Sequence, residues 1–250
     1  MGVPFPADRG WIRALPIGGP FGSVPGMNYP IPGGLLVAVE GIDGAGKTTV
    51  AALLAQWCGE RGLACVFSKE PTSLSFGKVL RESAQAGRLS VEEEVELFRR
   101  DRQEHVRRSI GPALEAGAVV ILDRYYWSTA AYQGARGVDF RKIVAENRAV
   151  APVPDLVLFL DLDPAEGLSR IRRRGDVPND FEELESLRAV GAIFQALARE
   201  PGERAVRIDA AADFREVYRA ALAHFREAAL EKIRQAPGLA DRGERAALLE

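Results

Sequence analysis

The sequence has few of the residues that build disulfide frameworks or zinc sites. Its 250 residues include two cysteines, Cys58 and Cys65, with neither a C-x-x-C pair nor a metal-ligand spacing. Such cysteine usage suits a reducing cytoplasm. No apolar stretch approaches the roughly 20 residues of a membrane span, and the N-terminus lacks the continuous apolar segment of a signal peptide. We therefore expect a cytoplasmic protein that has no membrane partner.

The chain also lacks an excess of basic charge. Lysine and arginine number 33 against 35 aspartate and glutamate residues, which gives a formal net charge of −2. Nucleic acid binding generally relies on a basic excess or patch, so we expect no nucleic acid partner. The hydrophobic content of 47% is ordinary for a globular protein with a full core.

Three regions of the chain differ in composition. Residues 1–34 are rich in glycine and proline without helical or strand periodicity, which predicts a flexible extension. Met27 lies in this extension, eight residues before the first predicted strand, and offers an alternative start. Residues 35–235 show no break in composition and are predicted to form one domain, and residues 236–250 are predicted to form a loosely attached tail.

Short apolar segments alternate with amphipathic segments from Leu35 onward, which is typical of a parallel sheet enclosed by helices. The predicted strands are 35–40, 64–68, 118–122, 156–161 and 205–209. The predicted helices are approximately 47–61, 75–86, 91–116, 139–149, 164–174, 181–199 and 213–235. The strands are rich in valine, isoleucine and leucine, so both faces of the sheet should be covered. The predicted fold class is α/β, with a doubly wound, five-stranded parallel sheet and helices on both faces.

The most informative motif is GIDGAGKT at residues 41–48, which fits the pattern G-x-x-x-x-G-K-[ST] at every fixed position. It lies between an apolar strand and a helix, which is the setting of a phosphate-binding loop (P-loop). Its glycines let backbone N–H groups face phosphate oxygens, and the helix adds its positive end. Lys47 would reach the outer phosphates, and the hydroxyl of Thr48 would ligate Mg²⁺. The predicted nucleotide-binding residues are Gly41, Ile42, Asp43, Gly44, Ala45, Gly46, Lys47, Thr48 and Thr49.

A second feature is the segment ILDRY, which places Asp123 and Arg124 at the end of the third predicted strand. Ligands of such sheets bind at the carboxyl ends of the strands. A carboxylate there suits Mg²⁺, and the planar guanidinium of Arg124 can hold a phosphate. A structural ion pair between the two residues is the alternative. The N-K-x-D motif by which GTPases read guanine is absent from the sequence.

Two further clusters each allow two interpretations. Phe98 and Arg102 share one face of a predicted helix, where they could stack on a base and hydrogen-bond its edge. Spacing alone favours the other interpretation, a core phenylalanine and a solvated arginine. The second cluster is RIRRRG at residues 170–175. It is either a solvated helix end, where cations are favoured, or an arginine-bearing lid that closes over the nucleotide.

Together these segments resemble the thymidylate kinase family of P-loop nucleoside monophosphate kinases, over about residues 35–225. EGIDGAGKTT matches the family's E-G-x-D-G-A-G-K-[ST]-T, and DRYYWSTAAYQGARG, from Asp123 to Gly137, matches its D-R-[YH]-x-x-S-x-x-A-Y-Q-G. ELFRRDRQEHV is similar to the family's base-recognition helix. The resemblance implies transfer of the γ-phosphoryl group of ATP to dTMP with Mg²⁺, by a homodimer. The resemblance also favours the base-binding interpretation of Phe98 and Arg102 over the core and solvated one. Phe98 is then expected to stack on thymine and Arg102 to hydrogen-bond its edge.

The resemblance assigns roles to individual residues. Asp43 would bind the 3′-hydroxyl of the acceptor sugar, Arg124 would hold the acceptor phosphate, and Tyr132 would limit the room for a ribose 2′-hydroxyl. The metal ligands would be Thr48 and Asp123. The residues expected to bind the acceptor are Asp43, Glu70, Pro71, Phe98, Arg102, Arg124, Ser128, Tyr132 and Gln133.

The family has two forms, which differ in whether the catalytic arginine lies in the P-loop or in the lid. This loop has Gly44 and Ala45 and no arginine, whereas the lid segment contains several. The chain therefore resembles the lid-arginine form, with a short arginine-bearing lid. The catalytic residues expected from this resemblance are Lys47, Arg124, Arg170 and Arg174.

Two segments depart from the family pattern. KEPTSLSFGK stands where the family has R-E-P-G-G-T, with Lys69 in place of arginine and Thr72-Ser73 in place of the glycines. The Glu70-Pro71 pair is kept and is compatible with a cis peptide bond. In the lid, NDFE at residues 179–182 lacks one of the family's arginines.

Two alternatives to dTMP phosphorylation stay open, of which the first is motivated by these departures. One is a kinase of a related pyrimidine deoxynucleoside monophosphate, such as dUMP or a 5-modified base. The other is a non-catalytic nucleotide-binding protein. The presence of Lys47, Thr48, Asp123 and Arg124 argues against the second alternative.

Overall fold

A computed structural model of the chain describes residues 30–86, 89–173, 184–236, 242–247 and 249. Its centre is a five-stranded parallel sheet with the strand order β2-β3-β1-β4-β5. The strands are β1 (Leu35–Glu40), β2 (Cys65–Lys69), β3 (Val119–Asp123), β4 (Leu156–Asp161) and β5 (Ala205–Asp209). The five predicted strands are confirmed, with β2 and β3 each shifted by one residue.

Helices surround the sheet, as the predicted α/β class requires. They are α1 (Lys47–Glu60), α2 (Ser75–Ala86), α3 (Val91–His105), α4 (Gly111–Glu115), α5 (Tyr126–Gly134), α6 (Phe140–Arg148), α7 (Pro164–Arg173), α8 (Leu184–Leu197), α9 (Phe214–Gln235) and α10 (Arg242–Ala247). Helices α1 and α9 contact each other and the sheet, while α8 contacts β4, α5 and α7. Leu249, in the segment predicted as a tail, is fully buried. Within the described ranges, no helix has the length and apolar character needed to cross a membrane.

Strand β1 is the central strand and its burial determines where the site forms. All six of its residues are buried, and it pairs with β3 on one side and β4 on the other. On one side of β1 the sheet continues with β3 and then β2, and on the other side with β4 and then β5. In open parallel sheets, such a reversal of strand order opens a crevice at the carboxyl ends of the strands, and ligands bind there. The P-loop follows β1 at that point.

Helix α5 is not among the helices that the sequence predicts. Seven of its nine residues are buried, so its segment YWSTAAYQG has no polar face and no helical periodicity. Its aromatic residues also favour strands. Packing on all sides of the helix therefore overrides local propensity.

The helix predicted over 91–116 is interrupted. A π-helical segment, Val106–Ile110, separates α3 from α4. Pro112 lies near the start of α4; a proline has no backbone N–H to donate, and in a regular α-helix its ring clashes with the carbonyl four residues earlier. Local π-helical turns accommodate such a mismatch within an otherwise continuous helix.

The contact between α1 and α9 gives a test of the packing. Phe225 of α9 is fully buried, and its ring meets Trp57 of α1 edge-on at 5.8 Å between ring centres. We expect Phe225→Ala to lower the free energy of unfolding by about 3–5 kcal/mol, measured by urea denaturation, because the cavity cannot close. Val153→Ala, at a side chain that is 46% exposed, should change it by less than about 0.5 kcal/mol. Equal effects of the two substitutions would contradict this packing.

Candidate active site

The P-loop joins the carboxyl end of β1 to the N-terminus of α1, as predicted, and two of its glycines are required by close packing. Gly44 has a φ of 84°, and an added Cβ would lie 2.5 Å from the carbonyl oxygen of Gly167 in α7. Gly41 has a φ of 143°, and its Cβ would lie 2.4 Å from the carbonyl oxygen of Leu160 in β4. Any side chain would collide at both positions, so the loop is packed firmly against β4 and α7.

Lys47 is turned into the P-loop. Its side chain is 5% exposed, and Nζ donates a 2.7 Å hydrogen bond to the carbonyl oxygen of Ile42. Burial, followed by the repulsion of Arg124, lowers the pKa of Lys47 to about 8 despite the attraction of Asp43. The carboxylates near Lys47 therefore do not fully balance the positive charge of its ammonium group. An anion placed in the loop would supply the missing charge.

Thr48 and Asp123, the predicted metal ligands, are neighbours. The Thr48 hydroxyl donates to Oδ2 of Asp123 at 2.5 Å, while Oδ1 of Asp123 is buried and has no hydrogen-bond partner among the described residues. These oxygens fit Mg²⁺, which in phosphoryl-transfer sites takes one or two protein oxygens and completes its shell with phosphates and water. The described ranges contain no cluster of three His, Cys, Asp or Glu side chains that could hold a metal alone.

A cavity of about 220 Å³ opens beside the P-loop. Its walls come from the segment after β2 and from α2, α3 and α5. The lining residues are Glu70, Pro71, Leu80, Arg81, Glu94, Phe98, Arg102, Arg124, Tyr125, Ser128, Thr129, Tyr132 and Gln133. Every residue predicted to bind the acceptor, except Asp43, belongs to this set. The fold therefore gathers residues from distant parts of the sequence around one space.

Asp43 connects the P-loop to this cavity. One of its carboxylate oxygens accepts a hydrogen bond from the guanidinium of Arg124, and the other accepts a 2.6 Å bond from the hydroxyl of Tyr132. Burial alone would raise the pKa of Asp43, but Arg124 and then Lys47 outweigh it and hold the pKa well below its usual range. Asp43 is therefore ionised, and it fixes two side chains of the cavity to the loop.

Arg124 has an unusual backbone conformation. Its φ is 72°, in the left-handed region that non-glycine residues seldom adopt. The turn takes the chain from the end of β3 directly into α5, and the N–H of Arg124 donates to the carbonyl oxygen of Val39 in β1 at 3.1 Å. The guanidinium lies over the ring of Tyr132, 5.2 Å from its centre. Strained backbone of this kind is characteristic of ligand sites.

Arg102 lies fully buried at the base of the cavity. Its guanidinium donates twice to Oε2 of Glu70, at 2.9 and 2.6 Å. Two further bonds go to Oδ1 of Asn147 at 2.5 Å and to the hydroxyl of Thr129 at 3.1 Å. One of the five guanidinium N–H groups remains for a ligand.

The interpretation of Phe98 as core and Arg102 as solvated is wrong. Arg102 is 0% exposed. Phe98 is only half-buried and lines the cavity. Both residues are positioned at one cavity wall, and base recognition by the pair stays a prediction.

Glu70 links the cavity to the segment after β2. The peptide bond from Glu70 to Pro71 is cis. Oε1 of Glu70 lies 3.0 Å from Nδ1 of His105, a residue for which the sequence suggested no role. Burial would raise the pKa of Glu70, but Arg102 and then His105 lower it below its usual range. The carboxylate is therefore ionised and organises two side chains of α3.

The first segment that departs from the family pattern, KEPTSLSFGK, makes specific contacts in the structure. The N–H and hydroxyl of Thr72 donate to the buried carboxylate of Asp101, at 2.8 and 2.5 Å. This anchors the segment that replaces the family's glycines. Nζ of Lys69 lies 3.2 Å from Oδ2 of Asp123, at the carboxyl ends of adjacent strands. Residues 179–182 lie outside the described residues.

Of the two predicted catalytic lid arginines, the structure describes Arg170. Arg170 of α7 donates to Oε1 of Glu166 at 2.9 Å and to the carbonyl oxygen of Ala210 at 3.0 Å. These contacts hold it near the end of β5. Arg174 lies outside the described residues. Catalytic roles for both arginines stay predictions.

Several residues of the cavity were not predicted. Arg81 of α2 lines it and donates to the carbonyl oxygen of Pro71 at 2.9 Å. Leu80, Glu94 and Thr129 also line it. Asn147 of α6 accepts a hydrogen bond from the guanidinium of Arg102. No motif in the sequence marks these positions, and only the packing of helices against each other brings them together.

A P-loop that is bonded through Asp43 to the wall of an adjacent cavity is the arrangement of a nucleoside monophosphate kinase, which must hold a phosphoryl donor and an acceptor side by side. The family model for thymidylate kinase matches residues 39–221. The chain belongs to the thymidylate kinase family.

Individual relatives extend this likeness over most of the chain. A thymidylate kinase of Xanthomonas campestris pv. campestris (strain B100) is 52% identical over 203 residues, which cover 81% of this chain and 88% of the relative. One from Xanthomonas euvesicatoria pv. vesicatoria (strain 85-10) is 54% identical over 190 residues, covering 76% and 82%. One from Xylella fastidiosa (strain M12) is 52% identical over 192 residues, covering 77% and 87%.

The buried pair of Arg102 and Glu70 gives a stability test. We expect Arg102→Met to lower the free energy of unfolding by about 3–5 kcal/mol near neutral pH, because it leaves the buried carboxylate of Glu70 without its main partner. Urea denaturation measures the effect. Arg107→Met, at an exposed arginine of the adjacent π-helical segment, is the matched control and should change stability little. A negligible change for Arg102→Met would contradict the pairing described here.

The position of Lys47 in the P-loop gives a test of its role. We expect Lys47→Ala to lower kcat at least about a hundredfold, because it removes the cation that is predicted to contact the phosphates of ATP. The fold should persist, since Asp43 keeps its bonds to Arg124 and Tyr132 when Lys47 is removed. Steady-state kinetics and circular dichroism measure the two effects. Lys78→Ala, at an exposed lysine of α2, is the control. Full activity in Lys47→Ala would overturn the assigned role.

Proposed function

We propose that this chain transfers the γ-phosphoryl group of ATP to dTMP and forms ADP and dTDP. The observation that carries the proposal is the position of Asp43. This residue belongs to the P-loop and bonds both Arg124 and Tyr132, which line the cavity. A nucleotide held by the loop and a ligand held in the cavity would therefore meet at one wall. Family membership supplies the identity of the two substrates.

The chemistry proposed for the site is positioning and charge neutralisation. Lys47 would hold the outer phosphates of ATP, and Arg124 would hold the phosphate of dTMP in line with them. The phosphate of dTMP is dianionic near neutral pH, its second pKa being about 6, so transfer requires no strong general base. The packed loop and the buried cations are fixed before the substrates bind, so little reorganisation is needed during the reaction.

Mg²⁺ is part of the proposal. Thr48 and Asp123 would hold it, and it would neutralise charge on the phosphates of ATP. Lys69 is paired with Asp123 in this structure. It would have to yield this carboxylate oxygen or share it with the ion.

Recognition of the acceptor would come from the far end of the cavity. Phe98 presents its ring at the wall, and the remaining N–H of Arg102 would donate to a carbonyl edge of the base. Tyr132, whose hydroxyl donates to Asp43, would exclude a ribose 2′-hydroxyl. These contacts favour a pyrimidine deoxynucleoside monophosphate.

Two further properties enter the proposal through family resemblance. The first is a homodimer. The second is a cytoplasmic location, with which the two free cysteines, Cys58 and Cys65, agree.

A panel of acceptors tests the proposal and its alternatives. ADP release from ATP is measured with dTMP, dUMP, dCMP, dAMP and TMP (the ribonucleotide). We expect dTMP to give the highest kcat/KM and the ribonucleotide to be at least about tenfold poorer, because Tyr132 crowds the 2′ position. Equal rates with dTMP and dUMP would indicate a broader pyrimidine kinase. The absence of ADP release with every acceptor would indicate the non-catalytic alternative.

A further inference from the structure

Glu40 is a fully buried carboxylate that the proposed reaction does not yet use. It ends β1 and directly precedes Gly41 of the P-loop. Its Oε1 accepts hydrogen bonds from the N–H of Tyr125 at 2.8 Å and from the N–H of Ser128 at 3.2 Å. Its Oε2 accepts a 2.5 Å bond from the hydroxyl of Ser128. The Glu40 carboxylate, at the end of β1, thus holds the start of α5.

Helix α5 depends on this carboxylate for its N-terminal cap. Tyr125 is the N-cap residue and provides no side-chain hydrogen bond of its own. The first N–H groups of a helix have no partner inside it, and an anion at that end is favoured by the helix dipole. A serine or aspartate at the N-cap position generally fills this role. Here the cap comes from a strand far away in sequence.

The residues next to the cap are those that face the acceptor cavity. Arg124 immediately precedes Tyr125, and its Nη1 lies 3.4 Å from the hydroxyl of Ser128. Ser128 lines the cavity, and α5 continues to Tyr132 and Gln133, which also line it. A shift of the first turn of α5 would therefore move Arg124 and the cavity wall together.

Capping a helix with a buried carboxylate costs free energy, because the charged group loses its hydration. Burial raises the pKa of Glu40 to about 7, although its bonds to Ser128 and Tyr125 and the charge of Arg124 oppose the rise. The charged groups that act on it are Arg124, from the turn after β3, and Lys47 of α1. A cap needed only for stability could be provided locally by a polar side chain at the N-cap.

We propose that Glu40 is a positioning residue. By bonding Ser128 and the turn that carries Arg124, it fixes the position of the acceptor-binding residues relative to the P-loop. The inference rests on the proposed phosphorylation of dTMP. It predicts that loss of the Glu40 carboxylate weakens use of the acceptor selectively, because the P-loop is held separately by Gly167 and Leu160.

Glu40→Gln tests the inference, since it keeps the size of the side chain and removes one acceptor oxygen. We expect the KM for dTMP to rise about tenfold or more, as for loss of a hydrogen bond to a charged group. The KM for ATP should change less than twofold. The matched control is Glu146→Gln, at an exposed glutamate of α6, which should leave both constants unchanged. Circular dichroism measures the folded fraction of each variant.

A double-mutant cycle with Ser128→Ala tests the route of the effect. If Glu40 acts through Ser128, the rise in the KM for dTMP caused by Glu40→Gln should be smaller in the Ser128→Ala background. Additive effects would overturn the inference. Should Glu40→Gln fail to fold, Ser128→Ala alone must still raise the KM for dTMP and not that for ATP, and an unchanged KM for dTMP would overturn the inference.

The remaining outcomes separate this inference from the proposed function. If wild type and Glu146→Gln phosphorylate dTMP, and Glu40→Gln lowers kcat only in proportion to its folded fraction, then Glu40 is structural and the inference fails alone. Equal increases in both KM values would also contradict it. If wild type itself does not phosphorylate dTMP, the proposed function fails, and the inference fails with it.

Discussion

The site depends on the ion pair between Asp43 and Arg124. The two residues come from the ends of different strands, and the pair joins the P-loop to the turn that begins α5. Both ends of the pair are held by backbone. Gly44 packs the loop against α7, and Arg124 has a left-handed φ of 72°. The two side chains are largely shielded from water, with 25% of Asp43 and 16% of Arg124 exposed. The pair therefore holds the P-loop against the wall of the cavity that contains Arg124.

The same pair explains the electrostatics around it. Lys47, Lys69 and Arg124 are set against Asp43 and Asp123 within a few residues of the strand ends. Asp43 is kept ionised by Arg124, and Lys47 has a pKa lowered by burial and by Arg124. Bound phosphates would complete this charge balance. Cations fixed in advance of the substrate stabilise developing charge without reorganisation of solvent.

The sequence predicts the parts of the site that are built from local patterns. The strands follow from apolar segments, and the P-loop follows from Gly41, Gly44, Gly46 and Lys47 in a strand–loop–helix setting. Family resemblance then identifies most of the cavity lining. Helix α5 could not be predicted from periodicity because it is buried on almost every side. The support of Arg102 by Asn147 depends on how α3 and α6 pack, and no local pattern encodes a contact across 45 residues. The sequence also marks Arg170 as a candidate lid arginine. In the structure this side chain bonds Glu166 and the carbonyl oxygen of Ala210.

The most direct test of a donor and an acceptor meeting at Asp43 and Arg124 is the fate of the transferred group. The chain is incubated with ATP labelled at the γ-phosphate, Mg²⁺ and dTMP, and the labelled products are separated. The account predicts that the label appears in the terminal phosphate of dTDP, with little inorganic phosphate, because the acceptor phosphate occupies the position that water would take. Label released mainly as inorganic phosphate, at the same rate with and without dTMP, would contradict it.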